Sequence, residues 1–98
     1  MRLTAMISVI PIGVGLSLST YVAACEKVLR EAGLEPVLHA HGSNVEGEWD
    51  TVMTALKRCH EVLHEMGAPR ISTYVKLGTR TDKEISMEAA VESVRRKQ

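Results

Sequence analysis

The sequence predicts an α+β sandwich: a four-stranded antiparallel sheet, two helices on one face, and a further helix after the last strand. Three observations carry this. Residues 2–10 and 70–78 alternate side chains with the period of two that a half-buried strand requires. Two apolar stripes, 18–32 and 52–66, recur at helical spacing. Between them, residues 41–50, His-Gly-Ser-Asn-Val-Glu-Gly-Glu-Trp-Asp, mark the join of two similar halves.

Taken in order, Leu3, Ala5, Ile7 and Val9 share one face of the first strand, with Thr4, Met6, Ser8 and Ile10 on the other. Pro11, Gly13 and Gly15 are expected to end the strand, and Ser17 or Ser19 to cap the helix that follows. That helix has the stripe Leu18, Tyr21, Val22, Cys25, Val28, Leu29 and Ala32, and stops at Gly33. A second strand spans 35–40, with Pro36 at its start, and a short third strand spans 43–47. Asp50 is expected to cap the second helix, whose stripe is Val52, Ala55, Leu56, Cys59, Val62, Leu63 and Met66. Gly67 and Pro69 close it before the strand 70–78, and 82–97 reads as a helical tail with few apolar points. The order βαββαβ is that of the ferredoxin-like sandwich, here as a single domain, 1–98, with an added C-terminal helix. Its second sheet face mixes Met6, Ile10 and Tyr74 with Ser8, Ser72 and Lys76, which suits a subunit interface that also holds a polar ligand.

Composition narrows the function. The 98 residues carry 12 basic and 12 acidic side chains, so there is no basic footprint for nucleic acid. No apolar run reaches a membrane span, and the first residues read as a strand and not as a signal peptide. Cys25 and Cys59 fall on the apolar helix faces, as buried free thiols do, which points to the cytoplasm. A domain of this size has little surplus core, so self-association would help it.

His60-Glu61-Val62-Leu63-His64 matches the H-E-x-x-H zinc motif, in which two His one turn apart share a helix face. Both lie on the flank of the apolar stripe, however, and a polar helix flank is the preferred reading, with a metal-dependent hydrolase the least favoured function. His39 and His41 alternate on one strand and are expected to be hydrogen-bonded, not metal-bound. Gly13-Val14-Gly15 before a helix lacks the third glycine of a dinucleotide fingerprint, and no motif calls for a cofactor. No catalytic triad is recognisable. In 41–50, Ser43, Asn44 and Glu46 offer hydrogen-bonding groups and Trp49 a flat surface for a cation or ring.

Val9-Ile10-Pro11-Ile12-Gly13, Val45 to Met53, His60-Glu61 and Lys76 to Lys83 together resemble the small thiamine-binding protein family, the YkoF-like proteins of archaea, bacteria and yeast. The resemblance covers nearly the whole chain. The family's central pattern, Gly, Thr or Ser, two residues, Glu-Gly, falls on Gly42, Ser43, Asn44, Val45, Glu46 and Gly47. It implies a ferredoxin-like domain, a homotetramer built as a dimer of dimers, and binding of thiamine or its hydroxymethylpyrimidine moiety without catalysis. The contacts expected are Ser43, Asn44, Glu46 and Trp49, then Ser8, Ser72 and Lys76 on the sheet face. The alternative is an oligomeric regulatory domain that binds another small molecule or an anion.

Overall fold

Alternation in the first strand sets the layers. In β1 (Arg2–Ile12), Leu3, Ala5, Ile7, Val9 and Pro11 are buried on one face, while Thr4, Met6 and Ser8 on the other are half-buried. The computed structural model describes residues 1–98. It continues with α1 (Ser19–Glu31), β2 (Val37–His39), β3 (Gly42–Glu48), α2 (Trp49–Glu65), β4 (Arg70–Gly78) and α3 (Met87–Arg95). The sheet order is β2-β3-β1-β4 with every neighbouring pair antiparallel, the ferredoxin-like arrangement. β1 lies at the centre because it pairs with both β3 and β4.

The helices α1 and α2 cover the face that carries Leu3, Ile7 and Val45, and the core between layers is aliphatic. Leu29 of α1 and Val52, Cys59 and Leu63 of α2 are at most 2% exposed. Gly33 and Gly67 take φ of 81° and 99° just past the two helices, left-handed stops that a side chain would strain. No helix is long and apolar enough to cross a membrane.

Several local expectations are corrected. Pro11 does not end β1: the strand runs to Ile12, with Pro11 opposite Ile71. Pairing with β3 stops at Ile7↔Ser43, so past that point β1 has a neighbour on one side only and tolerates a residue without an N–H. Ser17 and Ser19 do not cap α1; Leu18 holds the cap position with no side-chain hydrogen bond. Asp50 does not cap α2 either, because the chain passes straight from β3 into the helix through Glu48. Asp50 instead sits in the first turn, where its charge complements the helix dipole. β2 is only three residues long, and the C-terminal helix begins at Met87, capped by the Ser86 hydroxyl, which accepts from the Ala89 N–H.

α3 also changes the second sheet face. Its first turn is fixed by the Glu46 carboxylate, which accepts a hydrogen bond from the Met87 N–H at 3.2 Å. The helix therefore lies over part of that face, yet none of its own residues is buried.

Gly42 is the tightest point in the sheet. A Cβ there would lie 2.4 Å from the carbonyl oxygen of Ile7, a backbone atom that cannot swing away. Gly42→Ala should lower unfolding free energy by about 2 kcal/mol or more, read as a shifted midpoint in urea denaturation.

Candidate ligand-binding site

The unequal lengths of the strands create a cavity. β1 extends beyond the end of β3, and the turn between β2 and β3 closes back toward the free stretch Ser8–Ile10. The first half of α1 roofs this notch with Leu18, Val22, Cys25 and Glu26. The space is about 350 Å³ and open at the β2–β3 turn, at the small end of the range of ligand cavities, about 300–1,000 Å³. Its walls are mostly apolar.

Two buried polar side chains stand in this lining. Glu26 is 7% exposed and Ser43 4%, and the Ser43 hydroxyl donates to Glu26 Oε2 at 2.6 Å. That short length is typical of a hydroxyl on a carboxylate. Glu26 Oε1 has no hydrogen-bond partner, and because no side-chain polar atom is both enclosed and unpartnered, it is not fully enclosed; Glu26 itself lines the cavity. The arrangement is one positioned acceptor in the lining of a mostly apolar pocket. It can take an N–H donor or a cation that brings little of its own hydration with it.

At the mouth, His39 is already engaged. Its Nε2 bonds Asn44 Oδ1 at 3.1 Å, which requires the ring to donate there, and its Nδ1 accepts the His41 N–H at 3.3 Å. His39 is thus hydrogen-bonded through both ring nitrogens, as expected. His60 bonds the Thr73 hydroxyl, and His64 donates from Nδ1 to the Ala68 carbonyl at 2.8 Å. The H-E-x-x-H stretch therefore ties α2 to β4 and to its own C-terminal turn. No group of three His, Cys, Asp or Glu is arranged to hold a metal ion. Cys25 and Cys59 are both free and buried, and the Cys25 thiol is pushed up by its hydrogen bond with Cys59 and by burial.

The residues singled out from sequence do not converge. Ser43 faces the helices, whereas Asn44 and Glu46 face the other side of the sheet, as the period of two along β3 demands. Trp49 packs half-buried against the core at the start of α2, so it anchors the helix. Asn44, Met6 and Lys76 form one cross-strand row on the second face, and Ser8 and Ser72 stand opposite Tyr74 and Ile10. Of the seven, only Ser43 and Ser8 border the cavity. A larger space, about 860 Å³, separates α3 from the sheet and includes Asn44 and Lys76. It is the gap beneath a loosely seated helix, and the charges along it are exposed. Arg80 and Asp82 there satisfy each other, Arg80 holding the Asp82 carboxyl down at about 2.

Glu26 was missed from sequence, although a signal exists. It stands four residues after Val22 and three before Leu29, on the stripe that the helical period buries. A carboxylate at such a position needs a partner, and Ser43 supplies one.

A family model described as Thiamine-binding protein matches residues 5–95. The chain belongs to that family. A UPF0045 protein of Synechocystis is 51% identical over 94 residues, which cover 96% of this chain and 78% of that protein. A UPF0045 protein of Eremothecium gossypii is 41% identical, across 93% and 88% of the two chains. Among solved structures, a hypothetical protein of Methanocaldococcus jannaschii superimposes with a TM-score of 0.90 at 29% identity, covering 96% of each chain. A Thermotoga maritima protein provisionally assigned to thiamine biosynthesis or salvage gives 0.82 at 20% identity, with 97% and 100% covered, and shares the fold.

Two substitutions separate the roles of the β3 side chains in this family member. Ser43→Ala leaves Glu26 Oε2 buried without a donor, and should destabilise the fold by about 1–3 kcal/mol in chemical denaturation. Glu46→Ala removes the anchor of α3 and should cost about 1 kcal/mol or less, while speeding proteolysis of the segment 79–86.

Proposed function

We propose that this protein binds thiamine, or its hydroxymethylpyrimidine moiety, in the α1–β1 cavity without transforming it, and that it does so as a cytoplasmic homo-oligomer. The observation that carries the reading is the buried Glu26 carboxylate in a mostly apolar lining, held at one oxygen by Ser43 and unpartnered at the other. Thiamine is a cation whose aminopyrimidine ring presents N–H donors at one edge. A fixed acceptor suits that edge, and Val22, Ile7 and Leu38 can pack the ring face. Binding in place of chemistry accords with the engaged groups at the mouth, since both nitrogens of His39 already have partners. Membership of the thiamine-binding family supports the ligand class.

Self-association has its own support. β4 is an edge strand of nine residues with an unpaired outer side, and Tyr74, Val75 and Leu77 are exposed on it by 71%, 36% and 36%. A second apolar surface lies on α3, where Val91 and Val94 are 49% and 59% exposed. Two separate surfaces of this kind suit a dimer of dimers.

Isothermal titration of ligand-stripped protein with thiamine and with hydroxymethylpyrimidine tests the proposal. Saturable binding at one site per subunit is expected, with Glu26→Gln weakening it on the order of 10- to 100-fold, as loss of a buried charged acceptor should. Sedimentation of the same samples should give a tetramer. A tetramer that takes up neither ligand would replace this reading with that of a regulatory assembly domain.

A further inference from the structure

The cavity's charge distribution bears on which form of the ligand it accepts. Its fixed charge is negative: Glu26, at 7% exposure, is the acidic side chain in a lining of fifteen residues that contains neither Lys nor Arg. The basic neighbours of Glu26 along α1, Lys27 and Arg30, are exposed and point elsewhere than the cavity, which they do not line. The two imidazoles of the lining, His39 and His41, are exposed to solvent, and both ring nitrogens of His39 are already hydrogen-bonded. The free amides at the start of α1 belong to Leu18, Ser19, Thr20 and Tyr21, and of these residues only Leu18 borders the space. Apart from the exposed rings of His39 and His41 and the amide of Leu18, the lining holds no group that could compensate a phosphoryl group, and the buried Glu26 carboxylate repels one.

We infer that the cavity selects the unphosphorylated ligand and rejects its phosphate esters, so that thiamine is taken and thiamine monophosphate and diphosphate are refused. This rests on the reading of the cavity as the thiamine site. With the aminopyrimidine held by the carboxylate, a phosphate on the hydroxyethyl arm sits at the far end of the ligand, and a separation on the order of 8 Å sets the Coulomb scale. At an effective dielectric of about 20, each added negative charge then weakens binding by about 30-fold. The discrimination comes from repulsion by one residue and from the absence of Lys and Arg in the lining, which is specificity against the wrong form and not merely affinity for the right one.

Amide-resolved NMR titration of the full chain with thiamine and with thiamine monophosphate tests the inference, with the signals of Glu26 and Ser43 reporting on the cavity. The expected result is a midpoint at least about 30-fold higher for the monophosphate than for thiamine. Ala40→Arg places a cation on the exposed turn that borders the mouth and should narrow that ratio at least fivefold, on the order expected for one rim charge. Glu26→Gln should narrow it as well, by weakening thiamine and relieving the ester. Equal midpoints at Glu26 and Ser43 in the native protein would overturn the inference while leaving the thiamine site in place. Thiamine leaving both signals unmoved would overturn the site and the inference together.

Discussion

Everything in this fold depends on the side-chain alternation of β1. Leu3, Ala5, Ile7 and Val9 must leave water together, and only a layer of helices laid over that one face can achieve it. Because β1 pairs on both edges, its register also determines which residues of β3 and β4 face the helices. A slip of one residue would turn Val45 out of the core and bring Asn44 in, so the sheet has little freedom to re-register.

The same strand makes the site. Were β3 as long as β1, its ladder would continue past Ile7 and the sheet would be closed at that end. It stops at Gly42, whose missing side chain lets the chain pass against the Ile7 carbonyl, and the β2–β3 turn then folds over the gap. Into that gap α1 lowers Glu26, the one helix-face residue in the stripe that is charged. The Ser43 hydroxyl compensates part of the burial and fixes the carboxylate in one orientation, which turns a packing cost into a positioned acceptor. The fold's stability and the proposed recognition share that one hydrogen bond.

The second sheet face has a different character. α3 reaches it through Glu46 and Met87 but buries nothing of its own, and β4 leaves an unpaired edge beside it. Apolar residues are exposed on both surfaces, and the proposed self-association would cover them. Small domains have a limited core, and contact between copies is the common remedy. The polar residues of that face, Asn44 and Glu46 among them, serve internal order: one holds His39, the other the start of α3.

The sequence by itself determined the element types, their order and the aliphatic core. Periods of two and of about four residues are local properties of the chain, visible in Leu3 to Val9 and in Val52 to Leu63. It also located the key stretch, since Gly42, Ser43 and Glu46 all matter. Tertiary structure decided how they matter. Neighbours in sequence along a strand point to opposite faces, so Ser43 joined Glu26, seventeen residues away, while Asn44 joined His39. Helix caps were misjudged because Glu48 passes straight from strand to helix, and Pro11 because its strand lacks a neighbour on one side there. Each of these outcomes turns on what another segment brings into contact, and a one-dimensional pattern carries no record of that.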